Sequence, residues 1–299
     1  FWSHKYRDAW YSVFNLNNNQ HLGFFIPSGE GPNEVLRVVP ITQFFTENNE
    51  LKTLLYAFSD NKLVTWNITK SLEQNETIYD TIIPYNWQTE EHIIPFKDMF
   101  YTGEDSLFVY RHPAETDEEP TLPLIELRTI SSNERIDQIS VFKNSIANKE
   151  SMVYTNDFFF TDNSYKPDGT KVVQTMSRLG QINIIDLKSH QVKGYRMKNT
   201  DDFSIFYGTM EGSKYYYYRV ASNNDYIFAL WLGKSLDILP EIYEPDIIHV
   251  FDWEGNFIKK IKLAVPIREM WLDQVNNLLY GYNEVEEKLY CYNINEIGL

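Results

Sequence analysis

Along this chain, short apolar and aromatic runs alternate with polar clusters rich in Asn, Asp and Gly. One unit recurs: a polar turn followed by a short apolar strand. It is seen as Asn48-Asn49 before Leu54-Leu55-Tyr56-Ala57-Phe58, and as Gly103-Glu104-Asp105 before Leu107-Phe108-Val109-Tyr110. It returns as Asn223-Asn224-Asp225 before Tyr226–Leu230, as Asn276-Asn277 before Leu278–Tyr282, and more weakly as Pro167-Asp168-Gly169 before Lys171–Gln174. Tyr56 and Phe108 are separated by the same interval as Phe228 and Tyr280, which points to a repeat rather than to unrelated loops.

A second unit follows the first, an alternating strand that ends in an Asx residue. The copies are Val13-Phe14-Asn15, Thr65-Trp66-Asn67, Ile184-Ile185-Asp186, Val250-Phe251-Asp252 and Cys291-Tyr292-Asn293, with Leu124–Leu127 as a sixth that lacks the Asx. An Asn or Asp side chain bonds the backbone two residues on and closes the turn into the next strand. In one copy Val64, Trp66 and Ile68 share a face opposite Thr65, Asn67 and Thr69, the period of a half-buried strand.

Near the C-terminus, Ile267–Leu272, Leu278–Tyr282 and Lys288–Ile294 are separated by short polar turns and read as an antiparallel meander. Six Asx-type units over 299 residues give about 50 residues each, the period of propeller blades. The predicted fold is therefore all-β: a six-bladed β-propeller of four-stranded antiparallel blades. A ring of such sheets leaves only short edges exposed. The fragment Trp10–Phe14 precedes any complete unit, so the N-terminal strand is expected to close the ring.

Helical signal is thin. Ile136, Ile139, Phe142 and Ile146 have helical spacing, yet Ile139-Ser140-Val141 also alternates, and the segment 132–149 stays unassigned. Glu115–Pro123 reads as a long acidic loop. No Gly/Ser- or Pro-rich linker divides the chain, and residues 1–299 are read as one domain.

Charge then narrows the partners. With 27 Lys+Arg against 42 Asp+Glu, the formal net charge is -15. Such a surface repels phosphate backbones, and no basic stripe offsets it, so nucleic acid is excluded as a partner. No apolar run approaches the ~18–20 residues of a membrane span. The chain opens on Phe1-Trp2-Ser3-His4, and a targeting segment, with a lipid anchor, is expected to precede it. A single cysteine, Cys291, rules out an intrachain disulfide and a cysteine-rich zinc site. Within Leu289-Tyr290-Cys291-Tyr292 it reads as a small core residue.

The run Leu22–Glu34, with Gly29-Glu30-Gly31-Pro32-Asn33-Glu34 at its end, resembles the first-blade signature of the TolB-like six-bladed propellers. There a glycine-glycine-proline-glutamate turn follows the first outer strand; Asn33 stands where that pattern has Gly. Val250–Phe257 is similar to the blade motif of the same proteins and of NHL-type repeats. The resemblance implies a bacterial cell-envelope lipoprotein, periplasmic or surface-exposed. It implies no activity and carries over no catalytic residues.

Tests for chemistry find little. Ser28–Pro32 has no third glycine at dinucleotide spacing and no Lys-Ser/Thr for phosphate. The histidines (His4, His21, His92, His112, His190, His249) are scattered, without a metal-binding helix motif. Asp162-Asn163-Ser164 through Asp168-Gly169 offers calcium-friendly oxygens, but without the acidic twelfth position of an EF-hand loop it reads as an Asx turn. No Gly-x-Ser-x-Gly is present, and Ser59-Asp60-Asn61-Lys62 has Ser-x-x-Lys spacing inside a hairpin turn. No cofactor and no metal are expected.

The positional candidates lie on the first strand of each blade, which lines the channel of a propeller. Leu36–Phe45, Ile94–Tyr101, Tyr215–Val220 and Ile267–Leu272 are read as such strands. They carry Arg37, Lys97, Asp98, Arg219, Arg268 and Glu269, which together suit a polar ligand. The plainer reading is mutual ion pairing around a wet channel. Tyr215–Tyr218 suit sugar stacking or, more simply, packing between blades. The leading function is a non-catalytic propeller that binds a small molecule, glycan or protein at one face. The rival is a propeller-type hydrolase, lactonase or glycan lyase that uses channel-mouth residues, with calcium as a candidate aid.

Overall fold

The computed structural model describes residues 8–84, 96–103, 105–111, 122–142, 159–203, 213–235 and 244–297. The chain divides into two compact units, 1–111 with 125–138, and 112–124 with 139–299.

In the first unit a hairpin of β1 (Ala9–Asn15) and β2 (Gln20–Pro27) stands as a two-stranded sheet. Next come β3 (Val38–Glu47), β4 (Glu50–Ala57), β5 (Lys62–Asn67) and, after the short helix α1 (Ile68–Gln74), β6 (Tyr79–Pro84); the four strands pair in chain order. A second sheet of the same design holds β7 (Phe96–Gly103), β8 (Ser106–Arg111), β9 (Leu124–Thr129) and β10 (Arg135–Ser140). The second unit repeats the plan. Its first sheet is β11 (Thr161–Tyr165), β12 (Lys171–Met176), β13 (Gln181–Asp186) and β14 (Val192–Arg196). The next is β15 (Lys214–Ser222), β16 (Tyr226–Ser235), β17 (Ile247–Asp252) and β18 (Phe257–Lys262). The last is a three-stranded meander of β19 (Glu269–Asp273), β20 (Leu278–Asn283) and β21 (Lys288–Asn293).

The all-β expectation holds, and two details of it are corrected. Among the described residues there are five blade-like meanders, not six, and the last has three strands rather than four. No N-terminal strand closes a ring, because β1 pairs only with β2, in the register Ala9↔Pro27 to Asn15↔Gln20. The overcount has an identifiable cause. Val13-Phe14-Asn15 carries the same Asx-ended signature as the third strands β5, β13, β17 and β21, yet it belongs to a separate hairpin.

Those Asx residues act as the sequence suggests. Asn15 Oδ1 accepts the Asn17 N–H at 2.9 Å, Asp252 Oδ1 accepts that of Glu254 at 3.0 Å, and Asn293 Oδ1 accepts that of Asn295 at 3.0 Å. Asn67 differs: it caps α1, accepting the Lys70 N–H at 3.0 Å. Ile68 accordingly starts the helix instead of extending the strand. Part of the unassigned segment forms a strand, β10, while the loop expected over Glu115–Pro123 falls, at 115–121, outside the described residues. Asp162-Asn163-Ser164, expected in a turn, are the middle of β11.

Within each unit the sheets pack face to face. Leu54, Tyr56 and Leu63 of one sheet meet Met99, Leu107 and Val109 of the next. The hairpin β1–β2 covers the opposite face, where Phe25 and Ile26 pack with Leu55, Val64 and Trp66. In the second unit Val173, Ile182 and Ile184 meet Tyr216, Tyr217 and Ile227, while Phe228, Leu230 and Ile248 meet Met270 and Leu279. Middle strands are thus buried on both faces: β5 buries Leu63 and Asn67 as well as Val64 and Trp66. Outer strands β6, β14, β18 and β21 are largely exposed, and Cys291 on β21 is exposed rather than core.

Trp66 is 2% exposed, packs its ring 5.2 Å from Tyr11 and 5.9 Å from Phe25, and donates to Ser71 Oγ at 2.9 Å. Trp66→Ala is expected to destabilise the fold by about 3–5 kcal/mol in urea unfolding. A neutral result would remove Trp66 from the core of the first unit.

Candidate functional site

First strands of neighbouring sheets adjoin within each unit: β3 with β7 in the first, and β11 with β15 and β15 with β19 in the second. Their polar side chains bridge the gap where no sheet ladder runs. In the first unit Gln43 completes both halves of a backbone-like pairing, donating to Tyr101 O at 2.8 Å and accepting the Tyr101 N–H at 2.6 Å. In the second unit Asp162 Oδ2 accepts the Val220 N–H at 2.7 Å, Ser164 and Ser222 hydroxyls meet at 2.8 Å, and Gln274 donates to Ser222 O at 3.1 Å.

The densest charge in these inner strands surrounds Arg219 on β15. Its Nε and Nη2 each donate to a separate oxygen of Glu269, both at 2.6 Å, the planar fork that suits a guanidinium to a carboxylate. Nη1 donates to Tyr218 O at 2.9 Å, and the guanidinium lies 4.7 Å from the centroid of the Tyr218 ring. Burial works against this charge; the Glu269 bonds and the nearby Asp162 carboxylate outweigh it and hold Arg219 above its ordinary pKa. Next to it, Arg268 donates through Nε to the Tyr218 hydroxyl at 3.0 Å and pairs through Nη1 with Glu284. Arg268 and Glu284 are 35% and 39% exposed, so this outer pair meets solvent.

Of the six channel candidates, the structure brings together Arg219, Arg268 and Glu269. Arg37 is exposed ahead of β3, and Asp98 is half-buried on β7; both belong to the first unit. Lys97 lies on β7, with its side chain outside the described residues. Gln43 and Glu284 carry no signal in the sequence, and Asp162, read there as part of an Asx turn, bonds the Val220 N–H instead. An amide or carboxylate that satisfies a neighbouring strand leaves no periodic mark, although Tyr218 sits in the tyrosine run already singled out. Of that run, Tyr216 and Tyr217 are core residues. The signature loop is structural: Glu34 Oε2 accepts the Gly31 N–H at 2.9 Å, and a Cβ on Gly29 would lie 1.9 Å from the same oxygen.

Two further ionisable clusters are structural in the same sense. Lys52, 4% exposed, reaches Asp80 at 2.6 Å and Glu47 at 2.9 Å; despite burial, these bonds hold its pKa above the ordinary value. His249 packs 4.5 Å from the Trp231 ring and 3.3 Å from the Tyr217 hydroxyl. Burial, with a smaller push from Lys260, lowers its pKa from 6.5 to about 4. Hydrogen bonds hold Asp186, through Ser189, and Asp273, through Asn276, below their ordinary values, so these two carboxyls stay ionised and are not poised as general acids near neutrality. Among the described residues no group of three or more His, Cys, Asp or Glu is placed to hold a metal ion.

The family model for the TolB-like 6-blade propeller-like proteins matches residues 2–274. The chain belongs to that family. No curated protein sequence matches it. Among solved structures, a member of the DUF4221 family from Bacteroides vulgatus ATCC 8482 is similar at 13% identity and a TM-score of 0.57, covering 94% of this chain and 86% of that one. Hydrazine synthase from Kuenenia stuttgartiensis aligns at 11% identity and a TM-score of 0.49, over 94% of this chain and 76% of that one. The first likeness shows the fold alone, an all-β propeller, and the second is too loose to carry an argument. Within the TolB-like family plan, the Arg219–Glu269 fork ties the first strands of two successive blades.

Two outcomes follow from this geometry. A double-mutant cycle on Arg219→Ala and Glu269→Ala in urea is expected to return a coupling of about 1–2 kcal/mol, more than a loose surface pair gives. For His249 the folded pKa lies below the unfolded one, so the stability it contributes is complete above pH 6.5. That contribution falls through the window down to about pH 4, by up to roughly 3 kcal/mol. His249→Phe is expected to flatten the slope in that window, as read by urea midpoints against pH.

Proposed function

We propose that this TolB-like chain is a non-catalytic propeller of the bacterial cell envelope that binds a polar ligand, glycan or protein at the rim of its inner strands. One observation carries the reading: all three guanidinium nitrogens of Arg219 are committed, to Glu269 and to the Tyr218 carbonyl, whereas Arg268, 35% exposed, bonds the Tyr218 hydroxyl and Glu284 through Nε and Nη1 only. A guanidinium held in place by a phenol and a carboxylate, and reachable from water, is pre-organised to exchange its carboxylate for one on a ligand. One feature supports binding over turnover: His249, whose pKa burial lowers, is enclosed by Trp231 and Tyr217.

The envelope assignment draws on the family, and among the described residues no helix is long and apolar enough to cross a membrane. The net charge of -15 favours neutral, cationic or zwitterionic partners for the surface at large, with Arg268 as the local exception. Nucleic acid is not a partner on this reading.

Arrays of acidic glycans and of carboxylate-bearing peptides, followed by calorimetry on the hits, test the proposal. Saturable binding is expected, weakened about tenfold by Arg268→Ala, the loss of one charge-assisted contact. Mass spectrometry of the bound ligand is expected to show it unchanged. Cleavage or elimination that Glu269→Gln abolishes would replace this reading with an enzymatic one.

A further inference from the structure

A row of primary amides crosses the sheet β11–β14 on the face opposite its contact with β15–β18. The register places Asn163 against Gln174, Gln174 against Asn183, and Asn183 against Gly194. Val173, Ile182 and Ile184, at alternate positions on the same strands, occupy the other face and form the apolar core. Asn163, Gln174 and Asn183 are 9%, 0% and 2% exposed. Such burial of three amides in one row is unusual, because each brings two donors and an acceptor that need partners.

The partners are incomplete. Asn183 Oδ1 accepts from Gln181 Nε2 at 2.7 Å, and Asn163 Oδ1 from Thr161 Oγ1 at 3.4 Å. Asn163 Nδ2, Asn183 Nδ2 and both ends of Gln174 have no protein partner. A buried polar atom left unbonded costs more than an ordinary hydrogen bond returns, so adjacent unbonded atoms mark a place that something else occupies.

We infer that the Asn163–Gln174–Asn183 row is a buried hydration site, holding one or more ordered waters that bond the three amides. The mixture of groups selects water. Two asparagine donors call for an acceptor, while the Gln174 amide, whichever way it is turned, adds both a donor and an acceptor. An anion satisfies the donors and is repelled by Gln174 Oε1; an apolar guest satisfies none of them. Water does both and typically makes about three bonds in such a site. Gly194 ends the row, opposite Asn183. It is exposed on the outer strand β14, and a Cβ there would lie 2.9 Å from Gln181 Nε2 and 3.3 Å from Asn183 Oδ1. The missing side chain lets Gln181 and Asn183 close over this position and seal the outer end of the row.

A high-resolution crystal structure of the whole chain tests this directly. Ordered peaks are expected within about 2.7–3.2 Å of Gln174 Oε1 and of at least one asparagine Nδ2. Direct amide-to-amide bonds with no such peak would overturn the inference, and so would an anomalous peak at the row after a bromide soak. In solution, oxygen-17 relaxation dispersion counts long-lived internal waters. Gln174→Met, which keeps shape and removes polarity, is expected to lower that count by at least one; an unchanged count contradicts the site. If Gln174→Met does not fold, the wild-type crystal structure still decides the question.

Discussion

The constraint on which the rest of this structure depends is the packing of the middle sheet of each unit, β3–β6 and β15–β18, on both of its faces. A middle strand covered on both sides has no solvent face for polar residues. Hence β4 and β17 bury nearly everything they carry, and β16 buries the run Ile227–Leu230 with Leu232. Polar groups are driven to three places: the turns, the outer edges and the line of first strands. Those that remain inside must find partners. Lys52 does so among acidic side chains, and the amides of β11–β14 through the hydration inferred for them.

The same constraint sets the character of the inner strands. Adjacent first strands have no ladder between them, so side chains replace it. Gln43 does this with both ends of an amide, Asp162 with one carboxylate oxygen, and Arg219 with a fork onto Glu269. A charge used in this way is structural before it is functional. The layer proposed for recognition is the next one outward, Arg268 with Glu284 and the Tyr218 hydroxyl.

The repeat was legible because its turns are chemical. Asn and Asp at strand ends bond the following backbone, and this requirement recurs wherever a third strand turns outward. The blade count was not legible, since Val13-Phe14-Asn15 meets the same requirement in a hairpin that pairs with no other sheet. β11 was missed for the opposite reason: Thr161-Asp162-Asn163-Ser164 is too polar to look like a strand, and its side chains are spent on neighbours rather than on solvent. Alternation misled at β5, where burial on both faces leaves Asn67 as deep as Trp66. Arg219, Arg268 and Glu269 were found from their place on predicted first strands, yet which carboxylate joins which guanidinium is a matter of geometry, and sequence spacing does not reveal it.

Arg219 is thus a strut between two sheets of the second unit, its guanidinium nitrogens all bonded, and Arg268 beside it is the less tightly held cation. Nitrogen-15 NMR of the arginine Nε–H groups measures this difference most directly. Arg219 is predicted to give a signal protected from solvent exchange and indifferent to added acetate, and Arg268 a faster-exchanging one that shifts with acetate. An Arg219 signal that exchanges as fast as free arginine, or that titrates with acetate alongside Arg268, would contradict the account.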